Sequence, residues 1–126
     1  MSLKVLAIDD SRTMRNLLGA ALGSAGYTVE LAEDGLDGLD KMAAFNPDVI
    51  ITDINMPRMD GFGFLEAARQ RQTERVVPIL VLTTESAPEM KARARASGAT
   101  GWIVKPFDEE KLVWAIRRVA AIDGGA

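Results

Sequence analysis

Leu3-Lys4-Val5-Leu6-Ala7-Ile8-Asp9-Asp10-Ser11 is the stretch that decides the fold. An apolar run from Leu3 to Ile8, interrupted only by Lys4, ends abruptly at two carboxylates and a hydroxyl. The run reads as a buried strand. Ser11 can cap a helix whose apolar residues Met14, Leu17, Leu18, Ala21 and Leu22 recur at helical spacing. Gly26 is the expected helix stop.

The same order, strand then capped helix, continues to the end of the chain. Tyr27 to Leu31 reads as a second, weaker strand. Asp34 caps a helix carrying Leu36, Leu39, Met42 and Ala43, which must stop before Pro47. Val49 to Thr52 is a short apolar strand. Asn55 to Gly61 reads as a loop, punctuated by Pro57 and Gly61, and Phe62 to about Arg71 as a third helix. Pro78 to Leu82 is the fourth strand. Ser86-Ala87-Pro88-Glu89 has the form of a capping box and opens a helix to Ser97, closed by Gly98. Trp102 to Val104 is the fifth strand. Asp108 caps a last helix with Leu112, Val113, Ile116, Val119 and Ala120 on one face. Apolar strands joined by helices imply a five-stranded parallel sheet covered on both faces, an α/β doubly wound fold.

The chain has 126 residues, which suits one domain over residues 1–122 with a short tail at 123–126. It has no cysteine and no histidine. That excludes disulfides, thiol catalysis, serine–histidine dyads, imidazole metal sites and phosphohistidine on this chain. Any nucleophile or ligand must be a carboxylate, amine, phenol, hydroxyl or backbone group. A net charge of −3 offers no general attraction to nucleic acid or anionic membranes. No stretch approaches the roughly 20 apolar residues that span a bilayer. The opening apolar run is too short for a secretory signal. A cytoplasmic protein with no membrane insertion and no output domain of its own is expected.

Ligands of open parallel sheets bind beyond the carboxyl ends of the strands. There the sequence places Asp9 and Asp10, Asp53 with Asn55, Thr83 and Thr84, and Lys105. Taken singly, each is an ordinary turn or cap residue. Taken together, three carboxylates would repel unless they share a cation, and oxygen donors alone select Mg²⁺ or Mn²⁺. A lysine and a hydroxyl beside that cluster suit phosphoryl oxygens, and one carboxylate can act as the nucleophile. No glycine-rich Gly-Lys-Ser/Thr loop is present.

These residues resemble the receiver domain of two-component response regulators, in its stand-alone, CheY-like form. The resemblance rests on Asp9-Asp10-Ser11, on Asp53-Ile54-Asn55-Met56-Pro57-Arg58-Met59-Asp60-Gly61, on Leu82-Thr83-Thr84-Glu85 and on Lys105-Pro106-Phe107. It implies a flavodoxin-like strand order 2-1-3-4-5. It implies that Asp53 accepts a phosphoryl group from a phosphohistidine on a kinase or phosphotransfer domain. Asp10, Asp53 and the carbonyl of Asn55 would hold Mg²⁺, with Asp9 acting through a metal-bound water. Lys105 would pair with the phosphoryl group and Thr83 would move to meet it. Trp102 stands where the family has its switch aromatic, usually Tyr or Phe, and Pro106 would follow a cis bond. Asn55 and Glu85 would line the path of the hydrolytic water and allow quick loss of phosphate, Glu85 also offering a contact for an auxiliary phosphatase. Thr84, where the family often has a smaller residue, and the bulky Trp102 depart from the pattern.

Several residues carry two readings. Met14, Met42 and Met90 fit helix faces turned to the core, and Met56 and Met59 fit loop packing or a partner contact. Lys91, Arg93 and Arg95 are a solvated face or, by the resemblance, part of an output surface. Arg12 and Arg15 open the helix on which the family docks its kinases. The expected function is a switch that signals by protein binding, with a flagellar motor switch protein the first choice of target. A phosphate sink or phosphorelay shuttle is the alternative. An aspartate-nucleophile phosphatase would need Asp-x-Asp, and here Asn55 stands two residues after Asp53. No activity beyond the chain's own phosphorylation and dephosphorylation is expected.

Overall fold

The computed structural model describes residues 2–71 and 76–123. The elements follow in strict alternation: β1 (Lys4–Ile8), α1 (Arg12–Ser24), β2 (Thr28–Ala32), α2 (Gly35–Phe45), β3 (Val49–Thr52), α3 (Gly61–Arg71), β4 (Ile79–Thr83), α4 (Pro88–Ala96), β5 (Gly101–Val104) and α5 (Glu109–Asp123). All strand pairs are parallel and the order is β2-β1-β3-β4-β5. This is the doubly wound, flavodoxin-like fold that the resemblance implied. Positions 124–126 of the expected tail lie outside the described residues, and α5 includes Asp123.

Alternation along each strand divides the core in two. Leu6, Ile8, Ile50, Ile79 and Val81 face one layer with Leu39, Phe64 and Ala94 from α2, α3 and α4. Val5, Ala7, Val49, Ile51, Leu80 and Leu82 face the other layer with Leu18, Leu22, Leu112 and Ile116 from α1 and α5. Met42 and Met90 pack against the first layer and Met14 against the second, the core reading of all three.

The side-chain caps of three helices form as expected. Ser11 accepts from the Met14 N–H, Asp34 from the Asp37 N–H and Asp108 from the Lys111 N–H. Ser86 does not cap α4. The cap position is Ala87, without a side-chain bond, and Pro88 opens the helix. Proline lacks one of the N–H groups a cap would satisfy and its fixed φ suits a first helical turn.

Three apolar residues expected to face inward do not. Leu17 is 51% exposed and Leu36 41% exposed, and Ala43 is also exposed. On α2 the buried face is Gly35, Gly38 and Leu39, with Met42 packed beside them. A β-carbon at Gly38 would lie 2.5 Å from Ile8 Cδ1, so glycine lets this helix approach the sheet closely. A reading that counts only large apolar residues misplaces such a face.

Candidate functional site

Strand register sets the heights of the site residues. Ile8 pairs with both Ala32 and Thr52, Thr52 with Val81, and Thr83 with Val104. The ladder continues past the strand ends: Asp9 N–H donates to the Ala32 carbonyl, Asp53 N–H to Ile8 and Lys105 N–H to Thr83, at 2.8–3.0 Å. Asp9, Asp53 and Lys105 thus leave the sheet at one edge. Behind Asp53 the chain turns tightly, with Gly61 N–H donating 2.8 Å to the Ile54 carbonyl. A β-carbon at Gly61 would collide with the Asp53 carbonyl oxygen, which explains glycine there.

Lys105 sits between two carboxylates. Its Nζ lies 2.7 Å from Asp9 Oδ2 and 2.8 Å from Asp53 Oδ2, with its side chain only 11% exposed. The other oxygens are held by backbone donors: Asp9 Oδ1 accepts from Ser11 N–H at 2.9 Å and Asp53 Oδ1 from Ile54 N–H at 2.6 Å. Burial pushes the Asp9 carboxyl above its ordinary value, although Lys105 and the Ser11 N–H pull it back. Burial pulls the Lys105 ammonium down, but its bonds to Asp53 and Asp9 outweigh that and hold it above its ordinary value.

Asp10 is exposed, yet one carboxylate oxygen from each of Asp9, Asp10 and Asp53 lies within 4.8 Å of the others. Oxygens around an octahedral Mg²⁺ lie roughly 3–4 Å apart, so a slight contraction fits the ion to this donor set. The cluster is acidic and wholly oxygen, which suits a hard cation.

A second group gathers around Glu85. Asn55 Nδ2 donates to its carboxylate at 3.2 Å, and Trp102 Nε1–H donates to its backbone carbonyl at 3.0 Å. Thr83 is fully buried, and its Oγ1 accepts a long 3.4 Å bond from the Glu85 N–H. Thr84 is exposed. The structure therefore brings Asn55, Thr83, Glu85 and Trp102 into one chain of contacts. The Lys105–Pro106 bond is cis.

Sequence reasoning missed how the loop after β3 is fastened. Asp34, read only as a cap, is buried and also accepts from Arg58 Nε and Nη2, both at 2.6 Å. Arg58 has φ +65°, unusual for a residue with a β-carbon. Gly35 N–H donates to the Met59 carbonyl at 3.0 Å, a second tie between the same segments. An arginine between a proline and a methionine in a loop gave no signal of such a partner. Arg15, which opens α1 with Arg12, is half-buried and donates 2.7 Å to the Asp9 carbonyl. Arg12 is exposed.

The response regulator receiver domain profile matches residues 5–117. The chain belongs to the response regulator receiver family. The receiver is 48% identical to the chemotaxis protein CheY4 of Vibrio cholerae, with a TM-score of 0.88, covering 94% of this chain and 99% of that one. It matches the receiver domain of a Francisella response regulator with a TM-score of 0.88 at 26% identity, covering 96% and 98%. It is also 41% identical over 118 residues to the response regulator MprA of Mycobacterium bovis, 93% of this chain and 50% of that protein. The chain thus spans about half the length of the curated relatives it matches. A receiver works in two-component signalling, with a histidine kinase or phosphotransfer protein as its donor. Among the described residues no helix is long and apolar enough to cross a membrane.

Proposed function

We propose that this receiver takes a phosphoryl group onto Asp53 and then signals by binding a protein. The observation that carries this reading is Lys105 held at 2.7–2.8 Å between Asp9 and Asp53 beside an oxygen-only cation site. In the transfer a carboxylate oxygen of Asp53 attacks phosphorus. The P–N bond to the donor imidazole breaks as the P–O bond to Asp53 forms, and the imidazole leaves with the bonding pair. Asp10, Asp53 and the Asn55 carbonyl would hold Mg²⁺, with Asp9 reached through water. The ion supplies charge neutralisation for the phosphoryl oxygens. Lys105 gives up its bond to Asp53 and turns its ammonium to a phosphoryl oxygen. Thr83 then offers its hydroxyl to another.

Asn55 and Glu85 are already hydrogen-bonded over the place where a hydrolytic water would approach. Both are polar, so they admit that water and the phosphorylated form is short-lived. The backbone carbonyl of Glu85 accepts from the Trp102 indole N–H, which gives a path from the phosphoryl group to β5. The signalling is cytoplasmic and involves no catalysis on other substrates. The likeness to a chemotaxis protein across nearly its whole length supports a motor switch protein as the target.

The experiment is phosphotransfer from purified histidine kinases and from acetyl phosphate with Mg²⁺, read by intact mass. Wild type gains one phosphoryl group and Asp53→Asn gains none. Stoichiometric labelling of Asp53→Asn at another residue would overturn the assignment. Binding of wild type to motor switch protein, with and without acetyl phosphate, then separates a motor signal from a phosphate sink.

A further inference from the structure

The three carboxylates of the acidic cluster are not held alike. Asp9 Oδ1 accepts from the Ser11 N–H and Asp53 Oδ1 from the Ile54 N–H, and Lys105 bonds the second oxygen of each. Asp10 is exposed, and among the described residues its carboxylate has no hydrogen bond and no ion pair. The backbone that carries it therefore sets its place.

That backbone lies just past the ladder. Asp9 N–H donates to the Ala32 carbonyl and Asp53 N–H to the Ile8 carbonyl, the last rungs joining β1 to its two neighbours among the described residues. The Asp9 carbonyl meets no backbone donor there. Its partner is Arg15, whose Nη1 donates to it at 2.7 Å. Long side chains on a helix lean back toward its start, which gives Arg15 this reach. The Asp9 carbonyl and the Asp10 N and Cα share one peptide plane. Fixing the carbonyl therefore fixes the plane from which the Asp10 side chain departs.

The charge of Arg15 is otherwise out of place. The first turn of α1 holds Arg12 and no acidic residue, and the positive end of a helix dipole disfavours cations. A guanidinium beside an acidic cluster also repels any cation bound there. Yet among the described residues Arg15 pairs with none of the three carboxylates, and its guanidinium is aimed at a neutral carbonyl.

We infer that Arg15 is a positioning residue for Asp10: by holding the Asp9 carbonyl it places the Asp10 carboxylate for Mg²⁺ and tunes the site to that small ion. Mg²⁺ demands near-ideal octahedral ligands at about 2.0–2.1 Å, whereas Ca²⁺ accepts flexible ones at about 2.3–2.6 Å. A loosened Asp10 thus harms Mg²⁺ binding and leaves Ca²⁺ binding nearly untouched. Electrostatics alone has the opposite sign, because removing a cation beside the site strengthens the binding of both ions. The inference rests on the proposed Mg²⁺ site and adds the residue that shapes it.

The test is calorimetric titration of the 126-residue chain with MgCl₂ and, separately, CaCl₂, with no phosphoryl donor present. Arg15→Met keeps an apolar stem and removes the donor and the charge. Its Mg²⁺ affinity should fall about tenfold, roughly the weight of one charge-assisted hydrogen bond. Its Ca²⁺ affinity should stay within about twofold of wild type. Arg15→Lys keeps a charged donor and should bind Mg²⁺ more tightly than Arg15→Met. Arg15 is only half-buried, so circular dichroism should find both variants folded. Mg²⁺ affinity in Arg15→Met equal to or above that of wild type overturns the inference. So does an equal loss of both ions, which a general loosening of α1 would give, or an Arg15→Lys variant no better than Arg15→Met. Asp10→Asn separates this inference from the reading beneath it, and should lose more Mg²⁺ affinity than Arg15→Met. If Asp10→Asn binds Mg²⁺ like wild type, the proposed metal site fails and the role of Arg15 fails with it. If Asp10→Asn loses Mg²⁺ and Arg15→Met does not, only the role of Arg15 fails.

Discussion

Trp102 shows what one atom adds at the proposed switch position. An indole N–H only donates, and here it donates to the Glu85 carbonyl at 3.0 Å. Replacement by Phe keeps a ring and removes the donor. The expected loss is about 1 kcal/mol, the net worth of an ordinary hydrogen bond, read as a lower urea midpoint. The same variant isolates the fluorescence. Acetyl phosphate with Mg²⁺ should change the emission of wild type and leave Trp102→Phe silent, since Trp114 then reports alone from the outer face of α5. A full response from Trp102→Phe would remove Trp102 from the coupling path. Asn55 invites a second test. Methionine there loses the bond to Glu85 and covers the water's approach with apolar surface. Loss of label from Asn55→Met should slow by at least about tenfold, roughly the weight of one hydrogen bond in the transition state. An unchanged rate would mean that the water comes another way.

At the scale of elements, the loop between β3 and α3 is tied to the start of α2 by Asp34 and Arg58. Burial alone would raise the Asp34 carboxyl, but the Asp37 N–H and Arg58 outweigh it and hold it below the ordinary carboxylate range. A carboxyl depressed on folding stabilises the fold above its unfolded pKa, and that stability fades as pH falls through the folded value. Arg58→Ala removes one of the two supports and leaves the cap. Urea unfolding between about pH 6 and pH 3 should then show a shallower acid loss than wild type. Equal slopes would mean that the pair contributes nothing to the folded state. The tie also marks where the sequence stopped being legible. The order of strands and helices and three of the four side-chain caps followed from period and punctuation, because each depends on neighbours within a few positions. The Asp34–Arg58 pair joins residues 24 apart, and the Arg15 bond ends on a carbonyl that the folded chain presents at the end of β1. The inner face of α2 was misread for a similar reason. Its closeness to the sheet comes from Gly38 and its closeness to the Met59 loop from Gly35, and neither glycine carries a hydrophobic signal.

For the whole molecule, the charged site is a cross-link as well as the proposed phosphoryl site. Lys105 leaves β5 and reaches carboxylates that follow β1 and β3, so one ammonium ties three strand ends. It does so on two carboxylates of the acidic cluster that could hold a cation. If Mg²⁺ is held as proposed, Lys105 and the ion compete for Asp53, and the stability of the fold should register the competition. Lys105→Met leaves two largely buried carboxylates facing each other without a counter-charge. Removing one member of a buried pair costs about 3 kcal/mol, and partial solvent access here should reduce that. The metal-free variant should thus unfold at a clearly lower urea concentration than wild type. Mg²⁺ should then recover more in the variant than it adds to wild type, because no ammonium has to be displaced. Ligand linkage sets the scale, with about 2.7 kcal/mol gained at a hundredfold excess over the dissociation constant. The measurement is a urea midpoint with and without saturating Mg²⁺ for both proteins. If the two proteins gain equally, the lysine and the metal do not share oxygens. If Lys105→Met is as stable as wild type without metal, the ammonium is not the counter-charge that holds this edge of the sheet together.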